Sequence, residues 1–257
     1  MERWQKFELE CTEYLNETYG KYFTHLGFSD SSVSDIKYEK DGNIFFIEAK
    51  MPNAQSGQFV LLPDLKHKKF VFSNRNKSEK DENVKLIIEY INKNFFRYVN
   101  AGTKGIEINL PQKVFSDWII NTYKNKSVEF IITKGKEYII FPIEKYGEYF
   151  KIYCKFRAKK SGSRSVPKRL QKEVVLMLKN MNFEFRVLDS FLIESHIDLD
   201  NKRFSIDDSD FLIRRYGADN IYRIRRLSNT VNSNVIFSIE LVKEQDYNDL
   251  EIFRENI

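Results

Sequence analysis

The stretch from Val33 to Lys50, VSDIKYEKDGNIFFIEAK, limits the fold more than any other. Two runs rich in β-formers flank Asp41-Gly42, a dipeptide that suits the positive φ values of a two-residue hairpin turn. The second run ends on Glu48 and Lys50. Residues i and i+2 of a strand share a face. A carboxylate and an ammonium therefore stand side by side where the chain leaves the sheet.

The segments around this hairpin supply helices. Trp4, Phe7, Cys11, Tyr14 and Leu15 recur at helical spacing over the first 19 residues. Residues 82–99, ENVKLIIEYINKNFFRYV, read as a second amphipathic helix, and LPQKVFSDWIINTYKN as a third with Pro111 near its start. SVEFIITKGKEYIIFPI reads as a hairpin about Lys134-Gly135-Lys136. EYFKIYCKFRAK alternates like a strand, and VPKRLQKEVVLMLKNM reads as a helix entered through Pro167. Short strands are expected over the remainder: FEFRVLDSFLI, RFSI, NIYRIRRL and NVIFSIELV. The order lacks a βαβα rhythm, which argues against Rossmann and barrel plans. The expected class is α/β, with a mixed central sheet flanked by helices.

Composition narrows the function. The 257 residues are 42% apolar and 31% charged, enough apolar content to bury a core. No apolar run approaches the roughly 18 residues of a membrane span, and the charged start MERWQKFELE is not a secretory signal. Cys11 and Cys154 give neither a disulfide framework nor a metal spacing. His25, His67 and His196 lie far apart in sequence, which argues against zinc and His-based catalysis. A reduced, cytoplasmic protein is expected. The net charge is only +5, but residues 151–172 hold nine Lys/Arg and no acid. Residues 212–226 hold five Arg against one Asp. Such clusters suit a polyanion, although a solvated basic face is the plainer alternative.

Asp35 and Glu48 belong to the two arms of the first hairpin, which can bring both carboxylates to one end of the sheet. Two carboxylates, a neighbouring carbonyl and water form an oxygen cage that suits Mg²⁺. Such an ion polarises a phosphoryl oxygen and lowers the pKa of a bound water. Lys50, on the face of Glu48, would orient or deprotonate that water and offset charge at the phosphate. A surface salt bridge from Glu48 to Lys50 or Lys37 is the structural alternative.

Ser34-Asp35 followed by Glu48-Ala49-Lys50 resembles the PD-(D/E)xK nuclease signature, with serine in place of proline. The resemblance implies a restriction-endonuclease-like core and Mg²⁺-dependent phosphodiester hydrolysis. Carried over by position, Asp35 and Glu48 would be metal ligands, Ala49 would lend its carbonyl, and Lys50 would be the catalytic lysine. Asp30 competes with Asp35. Superfamily members often carry an acid on the first helix, and Glu8, at the edge of the apolar stripe, fits better than Glu10. MPNAQSGQFVL after the lysine looks like type II restriction endonucleases. There Asn53, Gln55 and Gln58 would face adenine edges, or else form a polar loop turned at Gly57.

Residues 1–150 are expected to form the catalytic core. Residues 151–257 would form a basic DNA-binding part packed on it. Its candidate contacts are Arg157, Lys159, Lys160, Ser161, Ser163, Arg164, Lys168 and Arg169, then Arg223, Arg225, Arg226, Asn229 and Asn232. Arg225 or Arg226 could instead pair with Asp207, Asp208 or Asp210. The resemblance implies double-stranded DNA as substrate, 5′-phosphate products, a bacterial or archaeal cytoplasm and a cognate methyltransferase. A palindromic site suggests a homodimer, with residues 114–123 or 86–96 as candidate interfaces. The rivals are a PD-(D/E)xK repair or junction nuclease and a non-catalytic nucleic-acid-binding protein.

Overall fold

A computed structural model describes all residues except 1, 28–32, 161, 189–190 and 229–230, and the side chains of 159–160, 218–219 and 231–232. In chain order the elements are α1 (Arg3–Tyr19), β1 (Phe23–His25), β2 (Ile36–Lys40), β3 (Asn43–Ala49), β4 (Asn53–Asp64), β5 (Lys69–Phe72), α2 (Glu82–Lys93), α3 (Phe95–Val99), β6 (Ile106–Glu107), α4 (Gln112–Lys124), β7 (Val128–Lys134), β8 (Tyr138–Pro142), α5 (Tyr146–Tyr149) and β9 (Phe150–Lys160). Next come β10 (Ser163–Ser165), α6 (Gln171–Asn180), β11 (Arg186–Val187), β12 (Leu192–Glu194), β13 (Arg203–Ile206), β14 (Ser209–Tyr216), β15 (Ala218–Leu227), β16 (Val231–Leu241) and α7 (Tyr247–Glu255).

The chain divides into two units, residues 1–158 with 233–257, and residues 159–232. The boundary thus differs from the expected break at residue 150. β9 and β16 are neighbours in one sheet of the first unit. The chain returns to that unit through β16 and ends there in α7.

The mixed α/β class is as expected, and the strands fall into three sheets. The first runs β1-β2-β3-β7-β8. Only its β3–β7 pair is parallel among its strand pairs. β7 is apolar on both faces, because both are covered. Phe130 and Ile132 join Ile47, Cys11, Leu15 and Phe253 in one core, beneath α1 and α7. Ile131 joins the other core with α2, α4 and the second sheet. That second sheet runs β5-β4-β16-β9-β6. Trp118 of α4 stacks on Phe237 of β16 at 4.2 Å between ring centroids.

The structure corrects several sequence expectations. Trp4 lies exposed, so the buried stripe of α1 begins further along, with Cys11 and Leu15 fully buried. The helix expected over 82–99 breaks at Asn94, whose φ of −117° is not helical. Its side chain bonds back to the Tyr90 carbonyl at 2.9 Å, a local competition with helix hydrogen bonds typical of Asn. Residues 53–64 form a strand, not a loop. The C-terminal helix α7 went unread. Asp246 caps it by accepting from Asn248 N at 3.0 Å, and Phe253 anchors it. The two proposed dimer faces are largely core. Ile87, Ile88 and Ile91 are buried, as are Phe115, Trp118 and Ile119. Leu86 and Phe96 of those stretches remain exposed.

The second unit is built on the sheet β11-β12-β15-β14-β13, with β10 on β15. One face packs Ile193, Phe204, Phe211, Ile213 and Ile224 against Val174 and Leu178 of α6. Among the described residues of the whole chain, no helix is long and apolar enough to cross a membrane.

Candidate active site

The first hairpin closes as the sequence predicts. Asp41 and Gly42 take φ of 50° and 85°, and Ile36 faces Ile47. This register carries Asp35, one residue ahead of β2, to the level of Glu48 and Ala49. Asp35 Oδ2 accepts a hydrogen bond from Ala49 N at 2.9 Å. The serine before it is buried and donates from Oγ to the Lys126 carbonyl at 3.0 Å, which ties the strand start to the turn between α4 and β7. Lys50 extends the parallel ladder, since its N–H donates to Ile132 O at 2.9 Å.

Glu48 and Lys50 are in contact. Lys50 Nζ lies 2.7 Å from Glu48 Oε1, with the carboxylate only 5% exposed and the lysine 17%. Glu48 Oε2 is buried with no partner. Burial pulls the Lys50 ammonium down. Glu48, Tyr123 and Asp35 outweigh that and hold its pKa well above the ordinary value. Lys50 is therefore a fixed cation in this arrangement, suited to orienting water and offsetting negative charge, and not to accepting a proton.

Glu8 of α1 is buried. Burial raises its pKa to about 6, with Lys50 opposing and Glu48 adding to the rise. Burial, then Glu48, raises Asp35 to about 7. Glu8 and Glu48 both act on Asp35, so three carboxylates share one neighbourhood with one ammonium. His25, set aside in the sequence reading, belongs here: its Nε2 lies 3.2 Å from Glu8 Oε2. Burial lowers the His25 pKa, which favours the neutral ring beside Glu8. Gly27 completes the fit, because a Cβ there would stand 2.6 Å from Glu8 Oε2. A sequence separation of 17 between Glu8 and His25 hides this pairing from any local pattern.

A β-bulge shapes the strand that leaves Lys50. β4 pairs with β16 so that Asn53, Gln55 and Gln58 face Glu240, Ser238 and Ile236. The register shifts by one residue near Ser56, which brings Gln58 to the side of Asn53 and Gln55. All three amides are exposed on that face. A bulge re-aims side chains in this way. Ser56 turns inward, with its Oγ 2.6 Å from Tyr146 Oη and 3.2 Å from Tyr123 Oη. The Tyr123 ring lies 5.4 Å beneath Lys50 Nζ. Gly57 does not make a turn: a Cβ there would meet the Trp118 ring at 2.7 Å.

The two basic stretches meet in space. Ser163–Ser165 pair with Arg225–Leu227 in antiparallel register, and Arg225 Nη2 donates to Ser163 O at 2.8 Å. Arg164, Lys168 and Arg169 are exposed; Arg223, Arg225 and Arg226 are half-buried. Arg157 belongs to the first unit, and its buried Nε has no partner. Ser161 and Asn229, like Asp30, lie outside the described residues, as do the side chains of Lys159, Lys160 and Asn232.

The residues suit a hard divalent cation. Among the described residues no three His, Cys, Asp or Glu side chains converge as a ligand set. Asp35 and Glu48 would need the Ala49 carbonyl and water to complete the shell, the oxygen donors Mg²⁺-type ions accept. Glu48 Oε2 is buried without a hydrogen-bond partner, and burial, then Glu48, raises the Asp35 pKa; this is a donor set that a divalent cation fits. The described cavities lie elsewhere. One is lined by Lys124, Glu129, Pro142 and Ile252, another by Asp81, Trp118 and Asn121.

A mixed sheet whose hairpin sets an aspartate beside a Glu-x-Lys triplet, backed by an acid on the first helix, has the architecture of a PD-(D/E)xK nuclease. No protein-family model and no curated protein matches the chain. A solved structure does: HhaI endonuclease in complex with DNA, at 40% sequence identity, 99% coverage of both chains and a TM-score of 0.80. The chain belongs to the type II restriction endonucleases, and it is a site-specific deoxyribonuclease. A divalent metal cofactor follows from that membership.

Proposed function

We propose that this enzyme hydrolyses both strands of double-stranded DNA at one short sequence with Mg²⁺ as cofactor. Asp35, Glu48 and the Ala49 carbonyl would hold the ion, with Glu8 behind them. The observation that carries this reading is Glu48: one oxygen on Lys50 and the other buried without a partner. A bound ion would supply Lewis-acid polarisation of the phosphate and an activated water. Lys50 holds its proton and presents an ammonium where charge builds on the scissile phosphate. Tyr123 and Ser56 brace it from below.

On this reading the amide row Asn53, Gln55 and Gln58 reads base edges beside the cut. The second unit binds DNA with Arg164, Lys168, Arg169, Arg223, Arg225 and Arg226; Ser163 fixes Arg225. Arg157, Lys159, Lys160, Ser161, Asn229 and Asn232 join this set on sequence grounds. The rest of the reading comes from the family: a prokaryotic cytoplasm, a methyltransferase guarding the host site, and a homodimer matching a palindrome. Light scattering on a short cognate duplex tests the dimer, and one 30.7 kDa chain per duplex would remove it. Plasmid digestion with and without Mg²⁺ tests the function. Discrete, Mg²⁺-dependent bands are expected. A smear would favour a non-specific or structure-selective nuclease, and intact plasmid a non-catalytic binding protein.

A further inference from the structure

The sheet of the second unit sets like charges directly against each other. Arg214 of β14 faces Arg223 of β15, and Arg164 of β10 faces Arg226. Opposed residues in antiparallel strands sit about 4.5–5.5 Å apart at Cβ, and like charges there destabilise the pairing. An anion between Arg214 and Arg223 would relieve the repulsion of that pair, whereas Arg226 stands opposite Phe211 and so belongs to the α6 side of the sheet.

The pleat sorts these residues by face. Phe211 and Ile213 of β14 point to the core beneath α6, with Ile224 of β15. Their neighbours Leu212 and Arg214 therefore point the other way, with Arg223 and Arg225. On this opposite face, register aligns Arg203, Leu212, Arg225 and Ser165 in one row. The next row holds Arg214, Arg223 and Leu192. Arg203 and Arg214 are exposed. Asp200 makes one loose ion pair on this face, 3.8 Å from Arg214, and Glu194 is engaged with Arg186 at 2.8 Å; in the sheet register no acid stands opposite Arg203, Arg223 or Arg225.

The guanidinium groups are braced. Arg223 sits 3.6 Å over the Tyr216 ring, a stacking that favours a planar cation. Arg225 is held by the Ser163 carbonyl. Braced, planar cations in rows suit phosphate oxygens, which accept two parallel N–H bonds from one guanidinium.

We propose that this open sheet face, centred on the Arg214–Arg223 pair and extended by Arg203 and Arg225, is a phosphate-binding surface for the backbone of the DNA duplex. The proposal rests on the restriction-endonuclease reading and adds Arg214, from the second basic stretch, and Arg203, which lies outside both stretches. The repulsion built into the free protein is relieved when phosphates lie between the arginines.

The test measures duplex affinity across about 50–200 mM salt without metal, for the wild type, Arg214→Thr and Arg203→Thr, alongside thermal unfolding. Each variant is expected to lose about one unit of salt slope, or about eightfold in affinity near 0.1 M salt. Arg214→Thr should at the same time melt close to the wild type, because relief of the like-charge contact with Arg223 offsets loss of the ion pair with Asp200. Wild-type slope and affinity in both variants would overturn the proposal and leave the nuclease assignment intact. Weaker binding with a lower melting temperature in both would overturn it too, since a structural role explains that result. Failure of the wild type to bind any duplex would overturn the reading beneath it.

Discussion

Replacing Asp35 by Asn should make the metal-free enzyme more stable while it destroys cleavage. Asp35 is buried beside Glu48 and Glu8, and its pKa rises from an ordinary 3.8 to about 7. At 1.36 kcal/mol for each pKa unit, holding it ionised in the folded state costs roughly 4 kcal/mol. The sign follows from proton counts. Between about pH 4 and 7 the folded state holds a proton that the unfolded chain has released, so stability falls as pH rises through that window. Above it the cost is fully present; below about pH 4 it vanishes. An asparagine keeps an acceptor for Ala49 N and carries no charge, so it should recover about 2–4 kcal/mol at pH 8 and nothing near pH 4. For a chain of this size that is roughly 5 °C or more in melting temperature. Thermal unfolding in chelator at the two pH values reads the difference. A variant that melts at or below the wild type at pH 8 would refute the reasoning, since the aspartate would then not be a buried, metal-hungry charge. Added Mg²⁺ should stabilise the wild type and not the variant.

Other perturbations act on the same contacts. Lys50→Met removes the cation from a carboxylate that is 5% exposed; cleavage should fall by at least about a hundredfold while duplex affinity in the absence of metal stays within about threefold. Loss of binding in step with cleavage would assign Lys50 to DNA binding instead. Gly57→Ala drives a Cβ into the Trp118 ring, which is already stacked on Phe237. It should cost about 1–3 kcal/mol of stability by overpacking, and denaturant unfolding that shows no loss would put the indole elsewhere.

The most local features were legible in the sequence. The hairpin, its Asp-Gly turn and the Glu48/Lys50 face come from period-two alternation across 18 residues, and the structure closes them as read. Glu8 was singled out by the family resemblance, with helical spacing leaving it at the edge of the apolar stripe; it is buried, with His25 Nε2 3.2 Å from its carboxylate. What escaped depends on partners far along the chain. The face of Gln58 is set by a bulge against β16, about 180 residues later, so the alternation of Asn53, Gln55 and Gln58 misleads on its own. His25 reaches the site at the end of β1, where it pairs with Ile36 of β2, and the next residue, Leu26, donates its N–H to Asp35 O at 2.8 Å. Its isolation in sequence said nothing of this. α7 was missed because nine residues with few apolar positions carry little periodicity. It is held by Phe253 and by Tyr149 Oη donating to Asp249 Oδ2 at 2.8 Å. The arginines were legible as charge, but the opposition of Arg214 to Arg223 required the register of β14 and β15.

Under the proposed function Glu48 is the carboxylate that would join metal, lysine and phosphate. The direct measurement is single-turnover cleavage of a cognate duplex in Mg²⁺ by the wild type and Glu48→Gln, with duplex binding measured in parallel. Glu48→Gln keeps the size and an acceptor but loses the charge that a divalent ion and Lys50 both need. Cleavage should fall by about a thousandfold or more, with binding preserved. Cleavage by Glu48→Gln within about tenfold of the wild type would contradict that role, because no essential metal ligand tolerates that change.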